Sequence, residues 1–146
     1  MSRTRFPQIL AFMTPFPYSI DIEAPLAEAH AFLRERRIRH LPVTREGELA
    51  GVLSDRDIKL ALGPDLGSPP ERELRVSDVY QPDCYVVDAG ELLEEVAARM
   101  AERHVGSALV TRAGKLVGIF TTTDACLALA RLLRERHPET PPDQVA

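Results

Sequence analysis

The sequence has no apolar run approaching the roughly 20 residues that a membrane-spanning helix needs. Its opening, Met1-Ser2-Arg3-Thr4-Arg5, leads into Pro7 and Gln8 rather than into the apolar core of a signal peptide. A cytoplasmic protein without membrane association is therefore expected. Cysteine is scarce: Cys84 and Cys126 stand apart, with no CxxC pair and no Cys/His pair at zinc spacing, and are read as free, buried thiols. Cationic excess is lacking as well. The 18 Lys and Arg against 22 Asp and Glu leave a formal net charge of −4, which argues against a chain that coats nucleic acid or an anionic bilayer. What remains is ordinary for one soluble unit, since 146 residues with 45% hydrophobic content can bury a real core.

What is present is a duplication. Gly51 to Leu62, GVLSDRDIKLAL, returns 67 positions later as Gly118 to Leu129, GIFTTTDACLAL. The same shift runs upstream without a gap through Gly47/Gly114, Val43-Thr44-Arg45/Val110-Thr111-Arg112, Glu35-Arg36/Glu102-Arg103, Leu26/Leu93, Asp21/Asp88, Tyr18/Tyr85 and Pro15/Pro82. A fixed offset of this kind marks a supersecondary unit that buries its apolar face against its neighbour. Each copy reads as β-α-β-β-α: short β-prone stretches at Tyr18 to Ile22 and Tyr85 to Val87, then helices near Pro25 to Arg37 and Glu91 to Arg103. The helices carry apolar stripes, Leu26, Ala29, Phe32 and Leu33 in one and Leu93, Val96, Ala97 and Met100 in the other. Hairpins follow, His40 to Thr44 with Leu49 to Ser54 and Ser107 to Thr111 with Lys115 to Thr121, each turning at a glycine able to take positive φ. Each hairpin enters a helix, Asp55 to Leu62 and Thr122 to about Arg136. The expected class is α+β, with repeat 1 at 9–62, a Pro- and Gly-rich linker at 63–75, repeat 2 at 76–133 and a disordered tail at 134–146. Val76 to Tyr80 matches Ile9 to Met13 and is read as a short helix entering the second copy.

Both strand-to-helix junctions carry hydroxyl-x-x-aspartate: Ser54-Asp55-Arg56-Asp57 and Thr121-Thr122-Thr123-Asp124. This pattern has two readings. One is a capping box, in which the hydroxyl accepts from a first-turn amide and the carboxylate answers back. The other is a ligand site, because free amides at a helix N-terminus suit an anion and a nearby carboxylate can accept bonds from ribose hydroxyls. Phosphate and sugar read together describe a nucleotide.

Three stretches of the first copy, Met13-Thr14-Pro15, Arg36 to Val43 (RRIRHLPV) and Gly47 to Asp57, closely resemble the first half of a bacterial CBS domain pair, the module named for cystathionine β-synthase. His104 to Val110 and Gly114 to Asp124 resemble its second half, and the likeness spans about Ile9 to Leu133, leaving no separate catalytic domain. The resemblance implies a pseudo-twofold pair with two clefts that commonly take AMP, ADP, ATP or S-adenosylmethionine, with or without Mg. It also implies that each cleft draws its hydroxyl and aspartate from one copy and its adenine contacts from the other. One cleft would use Thr121 and Asp124 with Ser19, Ile20, Arg39, His40, Leu41 and Pro42. The other would use Ser54 and Asp57 with Val86, Val87, Gly106, Ser107, Ala108 and Leu109. Arg39 and His40 would favour phosphate in the Thr121/Asp124 cleft, whereas Asp55 beside Asp57 would oppose it in the other unless Arg56 or a divalent cation compensates.

Catalysis is not expected. Ser54 lacks His-Asp support, neither cysteine has a histidine in its motif, and Asp57 and Asp124 hold parallel positions rather than the divided roles of acid and base. No histidine is expected to bind a metal: His30, His104 and His137 are read as solvated or capping groups. The expected function is a regulatory sensor of adenine-containing ligands, acting on an unidentified partner or through a homodimer to which Leu127, Leu129, Leu132 and Leu133 contribute. The alternative is a ligand-independent dimerisation scaffold in which the hydroxyl-x-x-aspartate residues only cap helices.

Overall fold

The computed structural model describes residues 6–15, 17–63 and 73–137. Most of the linker read at 63–75 and the tail beyond 137 lie outside these residues. The first copy builds β1 (Thr14–Pro15), β2 (Ile20–Asp21), α1 (Leu26–Arg36), β3 (His40–Arg45), β4 (Glu48–Ser54) and α2 (Asp55–Leu62). The second builds β5 (Val86–Asp88), α3 (Leu93–Arg103), β6 (Ser107–Arg112), β7 (Lys115–Thr121) and α4 (Thr122–Arg136). Single 3-10 turns, Ile9–Ala11 and Val76–Asp78, precede each copy. The mixed helix and sheet architecture read from the sequence is present, and α4 runs on to Arg136, so residues 134–136, read as the start of a tail, are helical. A pair at i, i+4, Arg131 with Glu135 at 3.2 Å, and Arg134 and Arg136 near the negative end of the helix dipole suit that extension.

Local chemistry explains the element ends. Arg37 and His104 follow α1 and α3 in the left-handed conformation, at φ 54° and 55°. There the amide of Ile38 donates to Leu33 and that of Val105 to Met100, both at 3.1 Å, closing Schellman motifs that satisfy otherwise orphaned carbonyls. Each hairpin turns on two residues of positive φ, Glu46 at 52° with Gly47 at 81° and Ala113 at 53° with Gly114 at 77°. That is the signature of a type I′ turn, whose twist matches the flanking strands. The sequence reading gave positive φ to the glycines alone; the turn type requires it of their neighbours too.

The copies do not fold side by side. β1 belongs to the first copy by sequence but pairs with β7 of the second, Thr14 opposite Ile119 and Pro15 opposite Gly118, in a sheet ordered β1-β7-β6-β5. In return Gln81 bridges the β2-β3-β4 sheet of the first copy at Val52, through amide-to-carbonyl bonds of 3.0 and 2.8 Å. The same exchange recurs upstream: Ile9 donates to Glu91 at 2.8 Å, and Val76 to Ala24 at 2.9 Å. Ile9 is fully buried among Val87, Leu93, Val96, Met100 and Phe120, the core of the second copy, while Val76 is fully buried among Leu26, Leu33, Leu41, Leu53 and Ile58 of the first. A third cluster of Val52, Leu109 and Ile119 joins the two sheets.

Two glycines permit this exchange. A Cβ on Gly51 would strike the Gln81 carbonyl oxygen and come within 2.8 Å of the Tyr80 ring. A Cβ on its repeat partner Gly118 would strike the Met13 side chain. Burial also corrects some expectations. His30 is buried at 8% exposure, since four residues after Leu26 it falls on the inward face of α1. Cys126 is exposed and Cys84 half-buried, so neither is the enclosed thiol expected from its type.

Candidate functional site

Both strand-to-helix junctions form complete capping boxes. At the first, the Asp57 amide donates to Ser54 Oγ and the Ser54 amide to Asp57 Oδ2, each at 3.1 Å. At the second, the Asp124 amide donates to Thr121 Oγ1 at 3.3 Å and the Thr121 amide to Asp124 Oδ2 at 2.9 Å. Each aspartate spends one oxygen on the cap, so the second oxygen decides what else it can hold. For Asp124 that oxygen accepts from Thr14 Oγ1 at 3.1 Å, while Thr121 Oγ1 adds a 3.1 Å bond to Oδ2. For Asp57 it receives only the long 3.4 Å approach of Gln81 Nε2. Thr14 and Gln81 occupy equivalent repeat positions just before Pro15 and Pro82. The sequence reading names Thr14 within Met13-Thr14-Pro15 but assigns neither residue to a cleft.

A cleft of about 1300 Å³ opens between the copies at the Ser54/Asp57 junction. Its walls bring together Ser54 and Asp57 from the start of α2, Arg39 and His40 from the entry to β3, and Gly106 and Ser107 from the entry to β6. The Schellman turns at Arg37 and His104 aim these two entry segments at the same space. Arg39 and His40, which the sequence reading groups with Thr121 and Asp124, line this space, and so do Thr122 and Ala125 beside that second junction. Gly106 has no side chain, and the His40 ring fills the space, with Nε2 only 2.8 Å from where a Gly106 Cβ would stand.

Among the remaining assigned residues, Leu41 is fully buried in the first core, and Val87 and Ala108 lie in the second. Leu109 sits in the cluster joining the sheets, and Pro42 is buried. These residues support cleft walls from behind. Ser19 and Val86 are exposed, and Ile20 is half-buried in register with Val43. The cleft also takes in residues that the sequence reading did not select, among them Tyr85, His104, Cys84 and Cys126. Tyr85 carries Arg103 5.1 Å from its ring centre, as Tyr18 carries Arg36 at 4.8 Å. The repeat offset linked Tyr85 to Tyr18, but only folding sets it at the cleft.

Electrostatics favour an anion here more than the sequence suggested. Asp55 is paired with Lys59 at 2.8 Å, so its charge does not stand against an incoming phosphate. Burial holds the His40 imidazole below its ordinary value, with the Asp57 charge opposing the shift and Arg39 adding to it. Burial pushes the Cys84 thiol up, a backbone hydrogen bond partly offsets this, and Asp83 adds to it, which leaves the sulfur a weak nucleophile near neutrality. No group of three or more metal-ligating side chains occurs among the described residues. No helix among them is long and apolar enough to cross a membrane.

The chain has relatives throughout this architecture. It is 26% identical over 132 residues to a CBS domain-containing protein of Dictyostelium discoideum, covering 84% of this chain and 91% of that one. A protein assigned to acetoin utilization (AcuB) from Vibrio cholerae superposes with a TM-score of 0.81 at 25% identity, covering 94% of this chain and 100% of that one. The structure of CBSX2 in complex with AMP has a TM-score of 0.76 at 27% identity, covering 88% and 99%. The CBS domain family matches at residues 9–63 and again at 76–131, the two copies of the repeat. The chain belongs to the CBS domain family and is a tandem pair of CBS domains.

Proposed function

We propose that this CBS pair is a non-enzymatic regulatory module that binds a phosphorylated adenine ligand, AMP, ADP or ATP, in the Ser54/Asp57 cleft. The observation that carries this reading is the convergence of Arg39, His40, Ser54 and Asp57 with Gly106 and Ser107 in one open space between the copies. Asp57 Oδ1 is the less engaged carboxylate oxygen and suits ribose hydroxyls, while Arg39 and the α2 N-terminus suit phosphate. The complex of CBSX2 with AMP supports an adenine nucleotide over other anions. The Thr121/Asp124 junction, with both carboxylate oxygens engaged, is the less suited of the two to an adenosine ribose. Occupancy of a cleft lined by both copies changes their relative orientation, and a partner or second copy reads that change through differential affinity for the two states. The exposed Leu127, Leu129 and Leu133 on α4 offer a surface for a homodimer in the cytoplasm.

A ligand-independent scaffold is the second reading, favoured by the completeness of both capping boxes. Thermal unfolding against AMP, ADP, ATP and S-adenosylmethionine separates the two. A ligand at about 100 times its Kd adds about 2.7 kcal/mol to the folded state, worth roughly 5–10 °C in a chain of this size. Asp57→Ala abolishes the shift and Asp124→Ala retains it. No shift with any ligand leaves the scaffold; the reverse order of the two variants moves the site to the other cleft.

A further inference from the structure

We infer that His40 is a specificity-determining residue of this cleft that takes up a proton when a dianionic phosphate ligand binds, so that acidification tightens phosphorylated ligands selectively over neutral nucleosides. The inference rests on the proposed ligand class and adds a condition to it. Its basis is where the imidazole stands. His40 lies across the divide between the copies, its Nε2 against Gly106, in the cleft that holds Asp57 and Arg39. A half-buried neutral imidazole there is a spare donor held back by desolvation.

The surrounding charge is balanced. Arg39 just before β3 and Arg56 and Lys59 on α2 are offset by Asp55 and Asp57 on α2 and by Asp83 before β5. The other titratable groups on the walls are Cys84 and Tyr85 beside β5, His104 at the end of α3, and Cys126 on α4. With cations and carboxylates cancelling, the protonation state of His40 sets the sign of the cleft. A phosphate dianion favours the imidazolium by direct attraction and by accepting its N–H, which raises the His40 pKa in the complex. A ligand without phosphate provides neither effect.

Calorimetric titration of the full chain tests this with AMP and adenosine as probes, at pH 6.5 and 8.0 and in two buffers of different ionisation enthalpy. AMP binds about three- to tenfold more tightly at pH 6.5, the ceiling being tenfold for each unit by which the ligand raises the His40 pKa. Its binding enthalpy varies with buffer in the sense of proton uptake once the protons released by AMP's own phosphate, whose second pKa is about 6, are subtracted, and adenosine shows neither effect. In His40→Gln the pH dependence and the buffer dependence of AMP binding vanish. AMP binding by the native chain without proton uptake overturns the inference while leaving the nucleotide reading intact. Uptake that persists in a folded His40→Gln variant assigns the proton to His104 or another group and overturns it as well. Binding of neither probe removes the nucleotide reading, and the inference with it.

Discussion

Gly51 and Gly118 are equivalent in the repeat, yet adding one methyl group to each should have different consequences. Both meet the segment donated by the other copy, but the nearest atoms to a Cβ at Gly118 are all of the Met13 side chain, Sδ, Cγ and Cε. A thioether chain with three rotatable bonds can withdraw. At Gly51 the obstacle is the backbone carbonyl of Gln81 with the Tyr80 ring behind it, and that carbonyl is held by its 3.0 Å bond from the Val52 amide. Neither glycine has positive φ, so alanine fits both backbones and gains about 0.4–1 kcal/mol by restricting the unfolded chain. Against that gain stands an overpacking cost of about 1–3 kcal/mol. For Gly118→Ala the terms nearly cancel, giving a loss of about 1 kcal/mol or less. Gly51→Ala cannot relax by a rotamer change and must give up the Val52–Gln81 bridge, adding about 1 kcal/mol for each of its two hydrogen bonds. A net loss of about 2–4 kcal/mol follows from these terms. Urea denaturation of the two variants measures the difference, and hydrogen exchange at Val52 and Gln81 locates it. Equal midpoints, or a more stable Gly51→Ala, would refute the account of the exchanged segments as rigidly docked.

Ile9→Ala should cost about 2–5 kcal/mol, the range for truncating a fully buried aliphatic side chain, although Ile9 lies beside no core residue of its own copy; calorimetric unfolding checks this. Ser54→Ala and Thr121→Ala each remove a helix cap and should cost about 1 kcal/mol in the absence of ligand, measured by urea titration. The ligand-free chain should lose stability as pH falls. His40 is held below its unfolded value of 6.5, so the unfolded chain takes up the proton first; this contribution is complete above about pH 7 and is lost as pH falls through 6.5 towards the folded value. The loss between pH 7.5 and 5.5 should be smaller in His40→Gln, as urea midpoints would report. Iodoacetamide followed by peptide mass mapping should label exposed Cys126 well before Cys84, whose thiol is half-buried and shifted upward, and AMP should protect the label sites if it occupies the cleft they line.

The repeat made the fold legible because shared spacing forces shared structure. The β-α-β-β-α order, the hairpins and both helix entries at Ser54 and Thr121 follow from local pattern alone. What spacing could not show is which copy each segment serves. Thr14 and Gln81 look like ordinary residues before a proline, and only the sheet reveals that each crosses to the other copy. The same holds for Arg39 and His40: their charge was visible, but the approach of the His40 ring to Gly106 joins residues 66 positions apart. His30 failed for a related reason, since residue type outweighed its place on the inward face of α1.

Synthesis runs from the N-terminus, and the exchanged segments give that direction a physical meaning. When the first copy has emerged from the ribosome as far as Leu62, its core still lacks Val76 and its sheet lacks the bridge from Gln81, while Ile9 has no core to enter. The early half therefore presents apolar surface that Val76 of the later half covers. It is completed only as the later half arrives, and the later half in turn requires Ile9 from the head of the first copy. Duplicated in sequence, the two halves form one cooperative unit, and neither can reach its native stability before the other is made.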